Sequence, residues 1–218
     1  MRIVCRRLAI VSVGAFTFLL GVAAQGHAQT AQLCLAGQLR GASNACKAVA
    51  KCYSTAMKKG TAVSEACVSV QSTRLGVIYG EIEALGNCLT SDVSSEVVAA
   101  FGDQIEALGT ALTLGGGKCA ATKMAALGKE CAGYLRCYAA GAAMSETVDP
   151  SCLAAHEGRL TKSFTKAEAK GGCAVTGDQA TLEAMVGDIA AGTYTLLRGT
   201  GTTTTVPTSS STSTVTMP

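Results

Sequence analysis

The cysteines of this chain recur at a fixed offset. Cys34, Cys46, Cys52, Cys67 and Cys88 are followed, 85 positions on, by Cys119, Cys131, Cys137, Cys152 and Cys173. Such a pattern restricts the chain to folds in which one unit is built twice, in register. The match also takes in Tyr53 and Tyr138, Val63 and Val148, Arg74 and Arg159, Leu75 and Leu160, Glu83 and Glu168, and Gly86 and Gly171. The chain is read as a tandem duplication, with repeat one over 29–114 and repeat two over 115–199.

Residues 1–28 read as a signal peptide. A basic start (Arg2, Arg6, Arg7) precedes an apolar run from Leu8 to Ala24, and small residues at Gly26 and Ala28 suit cleavage before Gln29. The run is short and broken by Gly14 and Gly21, so no stable membrane span is expected in the mature chain. Cys34 follows Ala31-Gln32-Leu33, without the small residue that precedes a lipid-modified cysteine. Arg6-Arg7 matches a twin-arginine signal weakly, and the general export route fits better. Loss of the signal takes three of the 18 basic residues and leaves 15 against 15 acidic ones. A near-neutral mature chain carries no electrostatic footprint for nucleic acid or an anionic membrane. Cys5 is lost as well, and an even set of ten cysteines in an exported chain favours a disulfide framework. The expected location is secreted or periplasmic.

From about 31 to 199 the apolar residues recur at helical spacing and strand alternation is absent, which predicts an all-α fold of two three-helix units, six helices in total. The first helices are expected at about Ala31–Lys59 and Lys118–Met144. The second open after Ser64 and Asp149, aligned positions that both carry good N-cap residues, with Pro150 at the favoured first position. The third carry apolar stripes: Val97, Phe101, Ile105, Leu108 and Leu112, then Leu182, Met185, Val186, Ile189 and Leu196. Thr176 with Gln179 resembles a capping box. Gly115-Gly116-Gly117 marks the junction between repeats. The Thr/Ser-rich stretch at 200–218 is too poor in large apolar groups to pack and is expected to be a disordered tail.

At about 100° per residue, Cys34 and Cys52 return to one helix face and Cys46 lies about 120° round. An antiparallel second helix then suggests Cys52 with Cys67 and Cys34 with Cys88, and in repeat two Cys137 with Cys152 and Cys119 with Cys173. Cys46 and Cys131 remain. A bridge between the repeats is one reading of them; two free thiols, or a link to a second chain, are the others. Each bridge contributes about 2–4 kcal/mol to a unit too small to bury a large core.

No catalytic, cofactor-binding or metal-binding residues are assigned. Cys-x-x-Cys pairs and haem-attachment spacing are absent, and structural zinc favours closer ligand pairs. His156 is expected to be a surface helix residue, since Gln71 aligns with it. Arg74 and Arg159 could recognise an anion, but pairing along their own helices or covering apolar surface is the simpler role. Tyr53 and Tyr138 are expected to pack on the hairpin disulfides. Asp103 and Asp188, one carboxylate per helix, make no acid/base pair.

The segment from Cys131 to Cys137, followed by Val148-Asp149-Pro150-Ser151-Cys152, the Ala167–Cys173 helix end (AEAKGGC) and Thr176-Gly177-Asp178, carries a recognisable signature. It resembles the repeats of uncharacterised exported bacterial cysteine-rich helical proteins, through most of repeat two and mainly through the cysteines of repeat one. Relative to that pattern Cys46 and Cys131 are additional. Saposin-like lipid binders differ in cysteine spacing. The resemblance implies an exported helical repeat and no catalytic residues. The functional expectation is an exported non-enzymatic binding or structural module. A carrier of a small apolar ligand or lipid, lined by Leu75, Ile78, Ile82, Phe101 and Ile105, is the first alternative; a thiol redox or metal-handling protein using Cys46 and Cys131 is the second.

Overall fold

The computed structural model describes the backbone of residues 11–91, 93–113 and 117–199, and their side chains from Thr30 onward except at 98 and 113. The predicted tail at 200–218, residues 1–10 of the predicted signal and most of the glycine junction lie outside the described residues. Six helices follow one another: α1 (Val11–Lys59), α2 (Glu65–Glu83), α3 (Ser94–Thr113), α4 (Gly117–Met144), α5 (Pro150–Ala169) and α6 (Gln179–Leu197). There is no strand among the described residues. None of their helices is long and apolar enough to cross a membrane.

Local chemistry sets most helix ends. The Ser64 hydroxyl accepts from the Cys67 N–H at 3.3 Å, and the Asp149 carboxylate accepts from the Ser151 N–H at 2.8 Å. Each occupies an N-terminal donor that the helix itself leaves unpaired. α1 stops at Gly60, whose φ of +65° is the left-handed turn that glycine adopts without strain. Two boundaries depart from the sequence expectation. α1 is already helical at Val11, the first described residue, rather than starting near Ala31, because no proline interrupts the stretch between them. α6 opens at Gln179 with Asp178 as its cap residue, and the Thr176–Gln179 capping box does not form. Gln179 Nε2 instead donates to Thr161 Oγ1 and Glu183 Oε2, at 2.7 and 3.2 Å.

α1 and α4, the two first helices, form the most extensive contact in the molecule. Exchanging the repeats maps α1·α2 onto α4·α5, α1·α3 onto α4·α6 and α1·α6 onto α3·α4, while α1·α4 and α3·α6 map onto themselves. The arrangement is a pseudo-twofold. Gly128 of α4 lies so close to α1 that a Cβ there would overlap the Ala50 methyl. Beside it Cys46 is joined to Cys131, with Cα atoms 6.3 Å apart. The hairpins are bridged by Cys52–Cys67 and Cys34–Cys88 in repeat one, and by Cys137–Cys152 and Cys119–Cys173 in repeat two. The α3 stripe closes over this pair, with Val97, Phe101, Ile105, Leu108 and Leu112 buried, and Leu182, Val186 and Ile189 of α6 do the same.

Aligned polar groups are built into both halves. Lys123, 2% exposed, places its ammonium on Glu168 Oε1 at 2.7 Å, Asp178 Oδ1 at 2.5 Å and the Val175 carbonyl at 2.9 Å. Burial alone lowers a lysine pKa, but the hydrogen bonds to Asp178 and Glu168 outweigh it and hold this one above the ordinary value. The contact pins the α5–α6 connection that carries Cys173. In repeat one the aligned residue is Gln38, fully buried, whose Nε2 donates to Glu83 Oε1 at 3.2 Å.

Removing the inter-repeat bridge as Cys46→Ala/Cys131→Ala should lower the unfolding free energy by about 2–4 kcal/mol in a urea titration. Helical circular dichroism should be unchanged, because four bridges still hold the hairpins.

Candidate functional site

In repeat two, α4 and α5 do not close fully on each other, and a cleft of about 230 Å³ remains between them. Four cations line it: Lys47 from α1, Lys129 and Arg136 from α4, and Arg159 from α5. Among the described residues every ion pair involves Lys123, so none of the four has a carboxylate within pairing distance. Arg136 is oriented by its Nε–H, which donates to Ser43 Oγ across the repeat interface at 3.3 Å.

The cleft arises where the repeats have diverged. Ser163 of the cleft replaces Ile78, and in repeat one Ile78 and Tyr79 press on Gly41, to 3.0 and 3.2 Å from where a Cβ would stand. That seam is filled. Lys129, Glu130 and His156 of the cleft stand where repeat one has Asn44, Ala45 and Gln71. Duplication thus left one hairpin closed and opened the other, with charge at its mouth.

His156 is not the surface residue its alignment with Gln71 suggested. Its ring is half-buried and rests on the backbone of Gly133, where a Cβ would overlap the imidazole. Burial, then Arg159 and Arg136, push its pKa below the usual histidine value, so the ring is neutral at pH 7. One nitrogen and the sulfurs of Cys137 and Cys152 lie within 4.8 Å of one another, although the two sulfurs are spent on their mutual bond.

Glu130, which also lines the cleft, carries no sequence signal beyond the charge it shares with the adjacent Lys129. It is 2% exposed, and neither carboxylate oxygen has a hydrogen-bond partner. The neighbouring Tyr134 hydroxyl donates to Glu157 Oε1 instead, at 3.3 Å. Burial first, then the Glu183 carboxylate on α6, raise the Glu130 pKa to about 8, with Glu157 adding to the rise.

The other sequence candidates are dispersed. Leu75, Phe101 and Ile105 belong to the packed core, and Ile78 and Ile82 lie against Gly41 and Gly37. Cys46 and Cys131 are bonded to each other and each 1% exposed. Arg74, Asp103 and Asp188 are exposed on separate helices. Tyr53, expected on the hairpin disulfide, has its ring on Gly109 of α3, and Tyr138 packs on Tyr194 with ring centres 4.8 Å apart. No protein-family model, curated protein or solved structure matches the chain.

Glu130 makes stability depend on pH. Its folded pKa is raised above the ordinary 4.5, so its full contribution is present below about pH 4.5 and is lost as pH rises toward 8. Between about pH 5 and 8.5 the wild type should lose about 4 kcal/mol more unfolding free energy than Glu130→Gln, measured by urea titration at each pH. Gly133→Ala should cost about 1–3 kcal/mol, because a methyl group there displaces the His156 ring.

Proposed function

We propose that this protein is an exported, non-enzymatic binding module, in which the disulfide-stapled repeats act as a rigid scaffold and the α4–α5 cleft seats an anionic group of the ligand. The observation that carries this reading is the convergence of Lys47, Lys129, Arg136 and Arg159 on one concave site without carboxylate partners. Cations left unpaired around a cleft offer charge-assisted hydrogen bonds to an oxyanion, and guanidinium groups give two parallel donors each. The filled counterpart in repeat one argues for a single seat per chain. Export is supported by the signal-like start and by ten cysteines that are all paired. The apolar-carrier reading is weaker, since the residues expected to line its cavity are packed into the core or against glycines.

Inorganic phosphate is the simplest probe. Titrated into the mature protein at an ionic strength held constant with chloride, it should give saturable amide shifts confined to α4, α5 and the part of α1 around Lys47. Arg136→Gln/Arg159→Gln should weaken the interaction at least about tenfold, a loss of about 1.4 kcal/mol. Arg74→Gln in repeat one should leave it unchanged. Shifts that do not saturate, or that the Arg74 variant abolishes equally, would remove the cleft as the seat.

A further inference from the structure

One of the five disulfides differs from the others in what surrounds it. Cys137–Cys152 has an imidazole beside it, since His156 follows Cys152 by four residues and one turn of α5 puts both on the same face. Space for the ring is built into the partner helix by Gly133. At the aligned positions repeat one carries Gln71 and Ala48, so histidine and glycine have replaced glutamine and alanine as a pair. A glycine inside a helix costs about 1 kcal/mol relative to alanine, and here it is what admits the imidazole. Arg136, adjacent in sequence to Cys137, and Arg159 both act on the same ring. Cys137 is 2% exposed and Cys152 half-buried, so Cys152 is the more accessible residue of the pair.

We infer that Cys137–Cys152 is a thiol–disulfide exchange site, opened by dithiols ahead of its counterpart Cys52–Cys67, with His156 stabilising the departing thiolate. The thiolate of the dithiol attacks Cys152 Sγ and forms a mixed disulfide, while the S–S bonding pair leaves on Cys137 Sγ. One imidazole nitrogen lies within 4.8 Å of both sulfurs, close enough to act on the negative charge that appears there. The second thiol of the reductant then attacks its own sulfur in the mixed disulfide and releases Cys152. Two electrons pass from the dithiol, which becomes a disulfide, and its two protons end on Cys137 and Cys152. A leaving thiol of lower pKa departs faster, and neighbouring cations and donors lower it. Cys46–Cys131, with both residues 1% exposed, has neither the access nor the neighbour.

The two repeats supply an internal control. Oxidised mature protein is treated with graded dithiothreitol at neutral pH, quenched by alkylation and mapped by peptide mass. Cys137 and Cys152 should be labelled at least about threefold faster than Cys52 and Cys67. His156→Gln, which installs the repeat-one residue, should bring the two rates to near parity with helical circular dichroism unchanged. Equal opening in the wild type, or an unchanged ratio in His156→Gln, overturns the inference. Should that variant not fold, Ala48→Gly/Gln71→His decides the matter: faster opening of Cys52–Cys67 supports the role of the imidazole, and unaccelerated opening overturns it.

Discussion

The contact between α1 and α4 is the one on which the rest of the molecule depends. Neither helix hairpin alone offers a closed apolar surface, because each is rich in alanine and glycine and poor in large side chains. Bringing Gly128 against Ala50 lets the backbones approach closely, and the Cys46–Cys131 bond holds the pair at that approach. α2 and α3 then pack on one half, α5 and α6 on the other, and α3 meets α6 across the pseudo-twofold axis. Small residues give proximity and little area, so covalent links supply what burial does not.

The symmetry of that frame makes its exceptions informative. A duplicated unit carries its own reference copy, and a difference between the copies is a departure from a known packing solution. Ile78 to Ser163 removes the plug from a helix seam; Asn44, Ala45 and Gln71 become Lys129, Glu130 and His156 around the opening. Tyr53 lies on Gly109, whereas at the aligned position Tyr194 stacks against Tyr138. The second of these is an exchange of one core solution for another. The first creates concave surface and charge together, which core packing does not require.

Much of the fold was legible in the sequence, because the features that determine it are periodic or local. The offset of the cysteines displayed the duplication, the third-helix stripes named mostly buried residues, with Met185 and Leu196 only partly so, and Ser64 and Asp149 marked real helix starts. Features set by contacts distant in sequence were not legible. His156 read as a surface residue because its defining neighbour, Gly133, lies on another helix. Glu130 carries no mark in the sequence, because its burial and its neighbours Glu157 and Glu183 come from packing between helices. The Thr176–Gln179 box failed for the same reason, since Thr161 and Glu183 take up Gln179.

The buried Lys123 has a counterpart that is neutral, and this makes the copies unequal partners in an acidifying medium. Its hydrogen bond holds Glu168 below the usual carboxylate range, so that part of the stability of repeat two is present above the ordinary glutamate pKa and drains away as pH falls. Protonation of Glu168 takes one counterion from a buried ammonium ion. Gln38 in repeat one has no charge to strand. Acid would therefore loosen the molecule from one end, beginning at the α5–α6 connection, while repeat one stayed folded as an anchor.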